Sequence, residues 1–165
     1  MTSTIESSFG SRLMTNGGFL LNNELTDFSF QKEKKGKRVA NNIEPNKRPR
    51  SSMAPTIIFK NDKPLFIIGS PGGSNIIGYV VNSIIGLVDW KMNVQQAASI
   101  PHGINKFGTF YLEKNSKISS LKKQLEKKGY KVKLRNFYSG LNIIQIKNKI
   151  FRGSDHRREG IAIGY

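Results

Sequence analysis

Four short stretches carry residue types that could do chemistry. The first is Gly69-Ser70-Pro71-Gly72-Gly73-Ser74, set between two apolar runs. Paired glycines let a backbone approach a ligand closely, and N–H groups at a helix start have no intrahelical acceptor. Such donors suit negative charge that develops only in a transition state, as in an oxyanion hole. A phosphate loop would want Lys-Ser/Thr after the glycines, but Ser74-Asn75 stand there. A plain strand-to-helix turn explains the same residues.

The second stretch is Asn22-Asn23-Glu24-Leu25-Thr26-Asp27, with two acids three apart. They could hold an ammonium; an Asx-rich turn with solvated charge is the simpler account. The third is Arg48-Pro49-Arg50-Ser51-Ser52-Met53-Ala54-Pro55. Paired hydroxyls on a proline-stiffened backbone suit a carboxylate, although an ordinary turn looks the same. The fourth, Gly153 to Gly160, carries Asp155, His156, Arg157 and Arg158 and reads as a polar surface turn. No catalytic scheme closes on these residues. His102 and His156 are the two histidines, and neither has an evident Ser/Asp setting for a triad. A terminal Thr or Ser can use its own amine as base, and loss of Met1 would expose Thr2, but nothing around Thr2 recommends it further.

The elements that must position these groups follow from apolar patterning. Residues 2–6 and 18–21 suggest short strands, and 31–50 a basic surface loop. Thr56–Lys60 and Pro64–Ile68 flank Asn61-Asp62-Lys63 as a hairpin, with near-continuous apolar runs that suggest burial on both faces. Ile76, Ile77, Val80, Val81, Ile84, Ile85 and Val88 recur at helical spacing, which predicts a buried helix over 74–88 with Ser74 as its cap. Asn93 caps a shorter helix, 94–99, before Pro101. A strand near 109–113, a basic helix at 117–128 ended by Gly129, and strands at 131–135 and 141–147 complete an α+β chain with antiparallel pairing.

Composition narrows the function classes. The chain has 165 residues, 27 Lys+Arg against 11 Asp+Glu, and 37% hydrophobic residues. With no cysteine, disulfides, thiolate metal sites and a Cys nucleophile are excluded. No metal and no cofactor is expected. No apolar run reaches the ~18 residues that span a bilayer, and the segment MTSTIESSFGSR is not a secretory signal. The net charge of +16 is concentrated in residues 32–50 and 106–152. A nucleic-acid footprint is one reading, but no aromatic-interleaved groove accompanies the charge, and a solvated lysine surface is the preferred one.

Taken together, the strings TSTIESSFGSRLM, GFLLNNELTDFSF, VANNIEPNKRPRSSMAPTIIF, IIGSPGGSNIIGYVV, DWKMNVQQAA, IPHGIN and GSDHRREGIAIG, in this order, resemble the small C-terminal subunit of the γ-glutamyltranspeptidase, or glutathione hydrolase, family. The resemblance runs along essentially the whole chain, residues 1–165. It implies an N-terminal-nucleophile hydrolase with a four-layer αββα sandwich. In such enzymes the precursor cuts itself, and the new terminal Thr attacks the γ-glutamyl amide of glutathione. The acyl group then passes to water, an amino acid or a peptide.

By matching motif, Thr4 is the threonine that assists the nucleophile. Glu6, Glu24 and Asp27 hold the substrate α-amino group, a role acceptor side chains suit. Ser51 and Ser52 bind the α-carboxylate, and Gly72 and Gly73 form the oxyanion hole. Many relatives have amides at the positions of Glu6 and Glu24, Arg at that of Asn75 and Gly at that of Lys91. The family nucleophile lies in a Thr-Thr-His-type string upstream of the TSTIESSFG segment, and no such string occurs in this sequence. The expectation is therefore an incomplete αββα sandwich, lacking its first strand and the large subunit, inactive alone. One sheet strand would then be an unprotected edge. The implied partners are glutathione or another γ-glutamyl compound and a large-subunit-like upstream chain, either lost or separately translated. A membrane segment and nucleic acid are not expected. The family is usually exported; by default this chain would stay in the cytoplasm.

Overall fold

The computed structural model describes residues 3–163, which fall into two compact units, one up to Ser51 and one from Ser52 onward.

The first unit is built of turns, as its polar and glycine-rich sequence dictates. In place of the strands expected at 2–6 and 18–21, a single antiparallel bridge joins Leu20 to Met14. Residue 2 lies outside the described residues, and residues 3–6 form no strand. Gly10 sits at φ 60°, and a Cβ there would meet the Leu21 carbonyl oxygen at 2.2 Å; only glycine fits. A 3-10 turn covers Glu24–Asp27. Within the expected basic loop, β1 (Glu33–Lys34) and β2 (Lys37–Arg38) form an exposed hairpin around Lys35 and Gly36, both at positive φ, as a two-residue hairpin turn requires. Phe28 is buried, whereas Phe9, Leu25 and Phe30 are exposed.

The second unit begins with β3 (Thr56–Lys60) and β4 (Lys63–Gly69), paired antiparallel around Asn61 and Asp62, both at positive φ. Next come α1 (Ile76–Val88) and α2 (Val94–Ala98). They are followed by β5 (Gly103–Lys106), β6 (Thr109–Glu113), α3 (Lys122–Lys127) and β7 (Lys131–Arg135). β8 (Asn142–Ile146) and β9 (Ile150–Ser154) close the order. This is the expected α+β class. The larger sheet runs β3-β4-β8-β9, all antiparallel. Phe66, Ile68 and Ile143 on this sheet pack with Tyr79, Val80 and Leu87 of α1 and Val94, Ala97 and Ala98 of α2. No helix among the described residues is long and apolar enough to cross a membrane.

Several expectations are corrected. β3 is a sheet edge and is not buried on both faces: Ile57 is 53% and Phe59 60% exposed. Helix α1 begins at Ile76 after a 3-10 turn, Gly73–Asn75, so Ser74 is not its cap; the Ser74 hydroxyl instead accepts from the Lys106 ammonium. The basic helix at 117–128 is split. Ser119 and Ser120 hydroxyls bond back three residues, to the Ser116 and Lys117 carbonyls at 2.7 and 2.8 Å, and that stretch is a 3-10 turn, Lys117–Leu121. Strands β6 and β7 are parallel, not antiparallel, because α3 provides the crossover that parallel pairing needs. Gly153 and Ser154, expected in a polar turn, end strand β9, which pairs with β8, and α2 lies so close that a Cβ on Gly153 would stand 2.4 Å from the Val94 carbonyl oxygen. The Asn93 cap holds as expected. Its side chain accepts from the Gln96 N–H at 2.8 Å, and Gln96 returns a bond to the Asn93 N–H at 3.0 Å.

Candidate functional site

In the first unit Thr4, Glu6, Glu24 and Asp27 are drawn together by local bonds. Thr4 Oγ1 accepts from the Glu6 N–H at 2.8 Å, which leaves its own proton free to donate. Glu6 has φ 71°. Asn23 fastens this bend to the next turn: its amide donates to the Ser7 carbonyl at 3.2 Å, and its oxygen accepts from the Ser7 N–H at 3.3 Å. Glu6 thereby comes into electrostatic range of Glu24. The Glu24 carboxyl is pushed above its ordinary value, first by partial burial, then by a hydrogen bond shared with Asp27 and by the charges of Asp27 and Glu6. Three carboxyls that repel one another make a place where an ammonium would be stabilised.

Ser51 closes the first unit and Ser52 opens the second; Ser51 is exposed and Ser52 half-buried. The backbone before them is anchored by the Arg50 N–H, which donates to Asn41 Oδ1 at 2.9 Å.

In the second unit the Gly72–Gly73 turn connects β4 to α1. Gly72 has φ 138°, and a Cβ on it would stand 2.4 Å from the Tyr79 ring; Gly73 has φ 55° with open space around it. The Asn75 N–H closes the turn on the Gly72 carbonyl at 3.2 Å. Both glycine N–H groups precede the first bond of α1, so neither has an intrahelical acceptor. Lys106 reaches this turn from β5, donating to Ser74 and lying 3.5 Å from Asn75 Oδ1. A cation from another strand thus stands at Asn75. Lys91 sits at φ 54°, a backbone conformation that favours glycine.

The expectation that neither histidine has a Ser/Asp setting fails for His102. Its ring is fully buried, with Nε2 2.8 Å from Ser139 Oγ, and Ser139 in turn bonds Asp155. An ionised carboxylate only accepts, so Ser139 donates to Asp155 and accepts from the His102 Nε2–H. The serine proton therefore points away from the histidine, and the trio is a buried structural chain, not a nucleophile with its base. Arg157 extends it, with Nε and Nη2 at 2.6 and 2.7 Å from Glu113 and Nη1 at 2.9 Å from Asp155. Burial first, and then the Arg157 charge, lower His102 to about 4. Burial pushes Glu113 and Asp155 up, but bonds from Arg157 and the His102 N–H to Glu113, and from Ser139 and Arg157 to Asp155, outweigh it and leave both below their ordinary values. This network was missed in the sequence, where Asp155 and Arg157 read as part of a polar surface turn. His156 is on the surface as expected, its side chain 63% exposed. Among the described residues no group of His, Cys, Asp or Glu is arranged to hold a metal.

Sheets, helices and glycine turn thus define an α+β fold, and comparisons give its family. The family model described as gamma-glutamyltranspeptidase matches residues 1–165, and the chain belongs to that family. A glutathione hydrolase proenzyme of Bacillus subtilis (strain 168) is 37% identical over 170 residues, covering 99% of this chain and 28% of that protein. The Escherichia coli (strain K12) glutathione hydrolase proenzyme is 33% identical, covering 100% of this chain and 30% of that protein. The chain therefore spans under a third of these relatives' length. Among solved structures, a Helicobacter pylori gamma-glutamyltranspeptidase mutant superposes with TM-score 0.82 at 37% identity, covering 96% of this chain and 92% of that one. An acivicin-inhibited gamma-glutamyltranspeptidase gives TM-score 0.81 at 38% identity, covering 97% and 92%. The fold is that of the N-terminal-nucleophile γ-glutamyltranspeptidases, present in part.

Proposed function

We propose that this chain carries the substrate-holding half of a γ-glutamyl amide-cleaving enzyme and depends on a nucleophile outside these 165 residues. Glu6, Glu24 and Asp27 take the substrate ammonium, Ser51 and Ser52 its α-carboxylate. Thr4, with its hydroxyl proton free, donates to the incoming nucleophile. That nucleophile attacks the γ-carbonyl carbon, and the carbonyl oxygen becomes an oxyanion that the Gly72 and Gly73 N–H groups stabilise. The C–N bond then breaks, the amine leaves with a proton, and water or an amino acid takes the acyl group. Alone, the chain binds without turnover. A large-subunit-like chain is the partner; the apolar side chains left exposed, Ile57 and Phe59 on edge strand β3 and Phe9, Leu25 and Phe30 in the first unit, support one.

The observation that carries this reading is the convergence of Glu6 and Asp27 on Glu24, whose carboxyl is pushed up first by partial burial, then by its hydrogen bond with Asp27 and the charges of Asp27 and Glu6. Calorimetric titration with glutathione tests it. Heat of binding is expected with glutathione and not with its N-acetyl derivative, and Asp27→Asn should weaken binding at least about tenfold, as loss of a charged hydrogen bond does. Equal binding of the two ligands would overturn the assignment of the acids.

A further inference from the structure

The His102–Ser139–Asp155 chain is bonded on one side to Arg157, and on the other its contacts lead to the Gly72–Gly73 turn. The His102 ring packs on Tyr79 with centroids 4.3 Å apart, and Phe137 closes on both edge-on at 5.7 and 5.9 Å. Tyr79 is the ring that fills the place of a Gly72 side chain. Its hydroxyl is bonded to the Tyr138 backbone and the Asn75 side chain. On the other side of Ser139, the Gly140 N–H donates to Ser70 Oγ at 3.2 Å, and a Cβ on Gly140 would stand 2.9 Å from Pro71. Residues 138 and 140 therefore grip residues 70–75, and Ser139 between them is fixed from below by His102 and Asp155. The Leu141 N–H adds a bond to Asp155 at 3.3 Å, and the Asp155 N–H returns one to Leu141 at 2.9 Å.

We propose that His102, Ser139 and Asp155 are positioning residues for the Gly72–Gly73 turn: they hold segment 138–140 and the Tyr79 ring in place, and so set the direction of the two glycine N–H donors. This deepens the oxyanion-hole reading and rests on it for its functional meaning, but its geometry can be tested separately. A half-satisfied buried network loses more than one bond's worth of order. Ser139→Ala leaves the Asp155 carboxylate and the His102 N–H short of a partner and frees the 138–140 segment.

The test is amide hydrogen exchange on the full chain, comparing Ser139→Ala with the unaltered protein. Exchange at Asn75 and Gly140, whose N–H bonds close the turn, should speed up about tenfold while β3–β4 hairpin amides stay within about twofold. Ser139→Thr, which keeps the hydroxyl, should restore protection. If Ser139→Ala does not fold, Ser139→Cys, with its weaker donor, carries the same comparison. Unchanged exchange at Asn75 and Gly140, or equal acceleration of all amides including the hairpin, would overturn the proposal. In an assembly that turns over γ-glutamyl anilide, Ser139→Ala should lower kcat and leave KM unchanged; a lowered affinity with kcat intact would overturn it too. If no assembly turns over the anilide, the functional reading falls, whereas the exchange result still decides whether the chain orders the turn.

Discussion

The Tyr79 ring occupies the space that a side chain on Gly72 would need: a Cβ there would stand 2.4 Å from the ring. The first residue of the proposed oxyanion pair is thus fixed by packing from α1 as well as by its own backbone.

Two neighbouring substitutions should therefore behave differently. Gly72→Ala combines φ 138° with the clash on Tyr79 and should cost about 2–4 kcal/mol. Gly73→Ala meets open space at φ 55° and should cost about 1 kcal/mol. Urea unfolding of both variants checks this, and equal losses would contradict it.

Stability should fall in acid. His102 unfolded protonates near 6.5 and buried near 4, so the unfolded state binds more protons between these values. The His102 contribution is present above about pH 6.5 and is lost as the pH drops towards about 4, amounting to about 3 kcal/mol. The groups facing the ring are Tyr79, Ser139, Asp155 and Arg157, with Glu113 and His156 close by. Glu113 and Asp155, held below their ordinary values, extend the loss to lower pH, since their stabilisation vanishes as they protonate. Unfolding free energy measured from pH 8 to 3.5 should show the fall, and His102→Gln should flatten it above pH 4.

The close approach of α2 to β9 is another check. Gly153→Ala would put a Cβ 2.4 Å from the Val94 carbonyl oxygen, a backbone atom that cannot turn aside. A loss of about 2–3 kcal/mol is expected, with faster amide exchange confined to α2 and β9.

Legibility in the sequence followed the range of the interactions. The β3–β4 hairpin, the helical spacing of Ile76 to Val88 and the Asn93 cap rest on neighbours a few residues apart, and all appear in the structure. What was not legible depends on distant partners. Arg157 meets Glu113 across 44 residues and His102 meets Ser139 across 37, so in the sequence the residues of the buried network look unrelated to one another. Strand β9 needs β8 and α2 beside it, and parallel pairing of β6 with β7 depends on where α3 crosses. In the candidate site, Glu24 and Asp27 were visible as an acidic pair, but the approach of Glu6 depends on Asn23 and Ser7, 16 residues apart.

The most direct measurement is release of the aniline from a γ-glutamyl anilide. The purified chain is assayed alone and then mixed with a chain that supplies the family's large subunit and nucleophile string. No release by the chain alone, and release by the mixture that Asp27→Asn suppresses, is the expected result. Release by the chain alone that Thr2→Ala abolishes would contradict the claim that its nucleophile lies elsewhere.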